Sequence, residues 1–393
     1  MMDYTGILSA CAQEIKPSGI RKFFDLAATM EGVISLGVGE PDFQTPYSIR
    51  RAGIESLEKG RTWYTANAGL PVLRQEIAGY LARRFGLDYD SQREILVTVG
   101  GSEAIDLCVR ALVNPGEEVL IPQPSFVCYD PITRLAGGVP VPLVTRAEDG
   151  FRLTPQALRA AITPKTKLLI FPYPNNPTGA IMKREHLEGI AEVLRDTGVM
   201  VLSDEIYAEL TYEDRHVSIA SLPGMRERTV VVNGFSKAYA MTGWRLGYAA
   251  APAPVLSVMT KLHQFAVMCA PTVSQYAAIE AMRHCDDEIT RMAVQFGMRR
   301  GLMVSSLNRM GLTCFQPLGA FYVFPSIRST GMTSEEFCAR LLEEQKVAVV
   351  PGNAFGDCGE GFVRISYSYG VDHLIEALGR IEAFVGGLRA DNN

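Results

Sequence analysis

The chain predicts an α/β protein: a doubly wound, mostly parallel sheet with helices on both faces, followed by a smaller α+β region. Three observations carry this. Between about residues 95 and 250, short β-branched runs alternate with segments of helical period. Past Pro252 the period stays helical as far as Met310, and three further short apolar runs with two helices close the chain. The length, 393 residues, exceeds one typical domain.

Composition narrows the function. Apolar residues make up 47% and charged residues 21%, as in a globular protein with a large core. The net charge of −5 leaves no basic footprint for nucleic acid or an anionic membrane. No apolar run approaches the roughly 20 residues of a membrane span. The opening Met1-Met2-Asp3-Tyr4-Thr5 lacks the basic-then-apolar layout of a signal peptide. The eight cysteines include no Cys-x-x-Cys pair, and the five histidines show no metal-ligand spacing. Structural thiols in a reducing cytoplasm, with no metal, are therefore expected.

In chain order, a helix is predicted over Ile20–Met30, behind Pro17-Ser18-Gly19. Val33–Leu36 then runs into Gly37-Val38-Gly39-Glu40-Pro41-Asp42-Phe43, whose glycines permit close backbone approach or simply a tight turn. A helix over about Pro46–Lys59 and the stretch Trp63–Leu70 lead to an amphipathic helix carrying Leu73, Ile77, Tyr80 and Leu81 on one face. Read alone, Tyr64 is an aromatic plug under that helix. Ile95–Val99 is a buried strand, followed by Gly100-Gly101-Ser102 and the helical run Ile105–Val113. That junction is a plain turn or an anion site made of free amides and a helix dipole. It is not the G-x-G-x-x-G dinucleotide fingerprint, which the chain lacks.

Strand Glu118–Pro122 leads to Phe126, which suits core packing or the face of a flat ring. Strand Lys167–Phe171 ends in Tyr173-Pro174-Asn175-Asn176-Pro177-Thr178-Gly179, a turn by composition. After helix Lys183–Thr197, the apolar run Val199–Leu202 meets Ser203-Asp204-Glu205-Ile206-Tyr207. Asp204, at the end of an all-apolar strand, either caps a turn in solvent or pairs with a cation or donor.

Val230–Val232 begins the next strand, which breaks at Asn233-Gly234-Phe235-Ser236-Lys237. A lysine at a strand mouth walled by apolar residues loses hydration, which lowers its pKa and frees the neutral amine of a Schiff-base lysine. The alternative is a solvated surface charge. Arg245, framed by Gly243 and Gly247, can bring its planar fork to a phosphate. The run Leu246–Ala251 and helices Val255–Phe265, Thr272–His284 and Asp287–Met310 follow. Strands Gly319–Phe324, Val347–Pro351 and Phe362–Tyr367 close the chain, with helices Ser334–Glu344 and Val371–Val385. Arg364 lies inside the last strand, and a buried arginine needs an anion, either an internal carboxylate or that of a substrate.

Taken together, Gly39-Glu40-Pro41-Asp42-Phe43, Tyr64 with Gly69, Leu73 and Arg74, Asn176-Pro177-Thr178-Gly179, Asp204 with Tyr207, Lys237 with Arg245, and Arg364 before Ile365-Ser366 stand in one family's order. The chain resembles the class I/II aminotransferases, pyridoxal-phosphate enzymes of fold type I. Ser18-Gly19-Ile20-Arg21-Lys22-Phe23 and Ser203–Tyr207 point to the bacterial aromatic, aspartate and N-acetyl-diaminopimelate branch.

The resemblance implies roles for particular residues. Lys237 holds pyridoxal 5'-phosphate and moves the substrate's Cα proton, and Asp204 faces the pyridinium nitrogen. Asn176 and Tyr207 reach the phenolic oxygen, and Phe126 stacks on the ring. Gly101, Ser102, Ser236, Arg245 and, across a homodimer, Tyr64 of the partner subunit anchor the phosphate. Arg364, Asn176 and the backbone near Gly39 receive the substrate carboxylate. Many members carry a serine three residues before the lysine as a phosphate ligand; here that residue is Gly234, and Ser236 is expected to inherit the role.

The implied domains are a large one over 47–285 and a small one combining 1–46 with 286–393. The implied reaction moves an amino group from an L-amino acid, aromatic or broad in range, to a 2-oxo acid such as 2-oxoglutarate by a ping-pong mechanism. A carbon–sulfur β-lyase is the alternative, since it needs most of the same residues. No arginine dedicated to a distal carboxylate is evident; Arg21 and Lys261 are candidates equally suited to the surface.

Overall fold

The computed structural model describes residues 2, 6–15, 17 and 30–391, so the expected helix Ile20–Met30 lies, but for Met30, outside the described residues. After the short strand β1 (Ile34–Ser35), seven strands build one sheet. They are β2 (Ile95–Thr98), β3 (Glu118–Gln123), β4 (Val139–Val144), β5 (Thr166–Phe171), β6 (Met200–Asp204), β7 (Thr229–Gly234) and β8 (Gly247–Ala250). Their order is β2-β8-β7-β6-β5-β3-β4. Every neighbouring pair is parallel except those of β8, which runs antiparallel to β2 and β7.

The helices are α1 (Ala10–Glu14), α2 (Tyr47–Glu58), α3 (Pro71–Phe85), α4 (Gly101–Leu112), α5 (Tyr129–Leu135), α6 (Pro155–Ala161), α7 (Arg184–Arg195), α8 (Ala253–Ala266), α9 (Thr272–His284) and α10 (Asp286–Arg309). Strand residues alternate between two helical layers, as a period of two requires. Ile95 and Val97 pack with Leu73 and Ile77 of α3, while Leu96 packs with Ile105 and Val109 of α4. Val231 joins the first layer, and Val230 and Val232 join the second. Burial on both faces is why these strands read as continuous apolar runs. Strand β4 was not foreseen. Pro140 and Pro142 remove ladder donors, and the strand survives because it is an edge, bonded only to β3.

Much of the rest of the chain packs on a further core, while Phe324, Val350, Phe355 and Phe362 join Leu120 and Leu169 of the large sheet. Strands β9 (Tyr322–Val323), β11 (Val350–Pro351) and β12 (Val363–Ser366) form an antiparallel sheet, and β10 (Val347–Ala348) pairs in parallel with β1. The expected strand Val347–Pro351 is thus two strands serving two sheets, and Gly319–Phe324 contracts to the two residues of β9. Helices α10, α11 (Ser334–Gln345) and α12 (Val371–Asp391) cover Phe321, Val347 and Ile365. The Ser366 N–H donates to Leu36 O at 2.8 Å, which lays residues 36–40 beside β12. Among the described residues no helix is long and apolar enough to cross a membrane.

Candidate active site

The carboxyl ends of β2, β3, β5, β6 and β7 all open on one side of the sheet, and β8 starts there because it runs the other way. A cavity of about 410 Å³ lies at this rim. It brings together Gly39, Gly101, Ser102, Phe126, Asn176, Asp204, Tyr207, Ser236, Lys237, Arg245 and Arg364, every expected site residue except Tyr64. Tyr64 is 78% exposed and does not reach the cavity of its own chain. Lys261 does not line the cavity, and Arg21 lies outside the described residues.

Lys237 and Asp204 face this shared space. Loss of hydration pulls the Lys237 amine down to about 8, against the opposing pull of Glu40. Its Nζ donates to Gly39 O, and the rings of Tyr207 and Phe321 lie 5.8 and 5.7 Å from it. Burial pushes the Asp204 carboxyl above its ordinary range, and two donors work against that shift. Tyr129 Oη donates to Oδ2 at 2.7 Å, and the Ile206 N–H donates to Oδ1 at 3.2 Å. A carboxylate so supported stays available to a third donor in the cavity.

A second corner is built for an anion. Helix α4 begins at Gly101, so its first amides have no partner within the helix. Arg245, at φ +53°, turns its guanidinium across Gly100, where any Cβ would sit 2.7 Å from Nη2. Trp244 holds this turn, because Nε1 donates to Thr45 Oγ1 at 3.1 Å and its carbonyl accepts from Ser274 Oγ at 2.8 Å. Ser236 lines the cavity and Gly234 does not. A Cβ on Gly234 would press to 3.0 Å from Gly247 Cα.

At the opposite end, Arg364 is 3% exposed, and no carboxylate among the described residues pairs with it. Nη1 donates to Asn176 Oδ1 at 2.9 Å, Nη2 donates to Gly37 O, and the buried Nε has no partner. Burial holds the guanidinium below its ordinary range. Of the two anions open to it, the internal carboxylate is therefore excluded among the described residues. Because Asn176 Oδ1 faces Arg364, its Nδ2 group is left to donate elsewhere. The asparagine is projected by a turn in which Asn175 Oδ1 accepts from the Thr178 N–H at 3.1 Å and hydroxyl at 2.8 Å.

Tyr129, Tyr322 and Thr242 also line the cavity and carried no sequence signal. Tyr322 Oη lies 2.8 Å from Tyr207 Oη, and Thr242 Oγ1 donates to Glu40 Oε2 at 3.1 Å.

Residues 31–381 match the family model for aminotransferase class I and II. The chain belongs to this family. It is 56% identical over 381 residues to the putative aminotransferase YugH of Bacillus subtilis (strain 168), covering 97% of this chain and 99% of that one. It is 48% identical over 374 residues to the aspartate aminotransferase of Pyrococcus abyssi (strain GE5 / Orsay), covering 94% and 95%. The crystal structure of an aromatic aminotransferase from Pyrococcus horikoshii OT3 superposes with a TM-score of 0.90 at 45% identity, over 94% of this chain and 99% of that one. The protein is an aminotransferase of fold type I that uses pyridoxal 5'-phosphate. The cavity fits that group, with an anion corner at Gly101 and Arg245, a poised amine at Lys237 and a carboxylate at Asp204.

Proposed function

We propose that this aminotransferase moves the amino group of an L-amino acid, aromatic or broad in range, to a 2-oxo acid such as 2-oxoglutarate in two alternating half-reactions. The observation that carries the reading is Arg364. It is a buried cation without a counter-ion among the described residues, in the same cavity as Lys237 and Asp204. Such a guanidinium is suited to a bidentate α-carboxylate.

When bound, pyridoxal phosphate supplies an electron sink for the charge left as a proton leaves the substrate's Cα. Gly101, Ser102, Ser236 and Arg245, with Tyr64 of the partner subunit, would hold its phosphate. Phe126 would cover its ring, Asn176 and Tyr207 would donate to its phenolic oxygen, and Asp204 would keep its ring nitrogen protonated. Arg364 and the backbone near Gly39 orient the substrate by its carboxylate. Lys237, neutral at mildly alkaline pH, would take the Cα proton as general base and, as general acid, deliver it to the carbon on the far side of the substrate nitrogen, two bonds from Cα.

The side-chain preference rests on charge. Among the described residues the cations lining the cavity are Lys237, Arg245 and Arg364, all engaged above, and Glu40 adds a negative charge near the lysine. A neutral, aromatic side chain suits that lining. Relatives named for aspartate and for aromatic substrates bracket this range.

A homodimer is supported by Trp63, Tyr64, Phe265 and Met268, which are exposed to 66%, 78%, 84% and 43%. Asn67 Nδ2 donating to Met268 O at 2.9 Å and Thr272 Oγ1 donating to Trp63 O at 2.8 Å hold their segments together. We divide the chain into a large domain (47–285) and a small one (1–46 with 286–393). The β1–β10 pairing and the start of α10 at Asp286 support that division. Eight free thiols support a cytoplasmic location.

The test is a single half-reaction. Holoenzyme mixed with phenylalanine and no acceptor is expected to lose its visible absorbance and release one equivalent of 2-oxo acid per site. Continuous release of pyruvate and ammonia from cystathionine without an acceptor would instead identify a β-lyase.

A further inference from the structure

We propose that Tyr322 is a positioning residue that links the carboxylate-binding arginine to the cofactor-facing tyrosine, its ring orienting Arg364 and its hydroxyl orienting Tyr207. The inference rests on the roles proposed above for Arg364 and Tyr207.

The register of the small sheet sets the arrangement. Tyr322 on β9 pairs with Ser366 on β12, and Arg364 lies two residues earlier on the same strand. Residues two apart share a face, so Tyr322 and Arg364 are diagonal neighbours, within reach for a ring and a long side chain. The Arg364 guanidinium carbon is 4.6 Å from the Tyr322 ring centroid and 4.8 Å from that of Phe355. The ring thus helps fix the plane in which a carboxylate must meet the guanidinium.

The hydroxyl reaches the other side of the cavity. It lies 2.8 Å from Tyr207 Oη, and the two rings meet edge to face at 5.9 Å. A Cβ on residue 39 would collide with Tyr322 Oη, so Gly39 keeps the room this hydroxyl occupies. Each phenol has one proton. When Tyr207 directs its own into the cavity, the proton between the two oxygens must come from Tyr322. Burial raises both phenols, Tyr207 the further of the two, and the positive charge of Arg364 works against that rise at Tyr322, which favours donation from Tyr322. Among the described residues, the charged groups facing the pair are Arg364 from β12, Asp204 from the end of β6 and Lys237 from the loop after β7, with Glu40 acting on Lys237 in the same cavity. Tyr322 is 1% exposed, which leaves bulk water little access to its proton.

The test uses holoenzyme carrying Tyr322→Phe, Tyr322→Leu, Tyr207→Phe, or Tyr207→Phe with Tyr322→Phe. One readout is the pH midpoint of the cofactor's visible absorption band without substrate. The other is the dissociation constant of 3-phenylpropanoate, a carboxylate with no amino group. Tyr322→Phe is expected to raise the midpoint by about half a pH unit or more, the size of one net hydrogen bond. An anionic oxygen given a weaker hydrogen bond holds a shared proton more tightly. Its 3-phenylpropanoate affinity should stay within about twofold, because the ring remains. Tyr322→Leu should raise the midpoint likewise and weaken that affinity about fivefold or more. The double variant should shift no further than Tyr207→Phe alone. A midpoint that moves in Tyr207→Phe but not in Tyr322→Phe overturns the hydroxyl's role. Unchanged 3-phenylpropanoate affinity in Tyr322→Leu overturns the ring's. A midpoint unmoved in Tyr207→Phe refutes instead the role proposed for Tyr207.

Discussion

Asp204 closes β6, and Lys237 follows three residues after the end of the neighbouring parallel strand β7; the two side chains open into one cavity. The strand pairing, rather than any flexible segment, sets their relation. Asp204→Asn keeps the shape and removes the charge. Breaking a buried ion pair costs about 3–5 kcal/mol, and about 1.4 kcal/mol is one decade in rate. Turnover is expected to fall by roughly two decades or more. A loss under about fivefold in steady-state kinetics would remove Asp204 from its role.

Tyr129→Phe tests the support beneath that carboxylate. Burial raises the Asp204 carboxyl, and the Tyr129 hydroxyl is the first of the groups that lower it again. Without the hydroxyl the carboxyl moves further up, so more of it is protonated as pH falls. Pyridoxal phosphate is expected to bind the variant about tenfold more weakly, with a larger deficit at pH 6 than at pH 8. Equilibrium titration of cofactor-free protein measures this, and equal deficits at both pH values would contradict it.

Much of the site is legible in the sequence because its polar residues stand next to apolar strands. Asp204 after Val199–Leu202 and Lys237 after Val230–Val232 mark strand ends by contrast. Tyr129 and Tyr322 give no such mark. Each is one aromatic in an apolar neighbourhood, and its partner lies 75 or 115 residues away, across pairings that no local pattern specifies. The direction of β8 is hidden for the same reason. The loop 235–246, pinned at Trp244 and Thr45, returns the chain antiparallel where a helix would have made it parallel. Strand β4 escaped because its prolines argue against any interior strand.

Arg364→Lys separates charge from geometry. An ammonium keeps the positive charge but loses the planar fork that meets Asn176 and Gly37 and, in the proposed role, a carboxylate as well. Losing one charge-assisted hydrogen bond costs about 1.5–3 kcal/mol. The kcat/KM is expected to fall about tenfold or more for the amino acid and for the 2-oxo acid alike. A loss confined to one of the two would show that Arg364 reads something other than their shared carboxylate.

The lowered pKa of Lys237 has a direct chemical consequence. In cofactor-free protein its amine is charged and unreactive below about pH 8 and becomes free above it. Exposed lysines become free only near about pH 10.4. Labelling with trinitrobenzenesulfonate, resolved by peptide mapping, is expected to rise at Lys237 with a midpoint near 8. A Lys237 profile that tracks the exposed lysines would contradict the desolvated amine.

The most direct measurement is to reduce the holoenzyme with borohydride and locate the pyridoxyl group by peptide mass mapping. The modification is predicted on Lys237 and is predicted to be lost in Lys237→Ala. A pyridoxyl group on any other lysine, or one retained at full yield in that variant, would contradict the account.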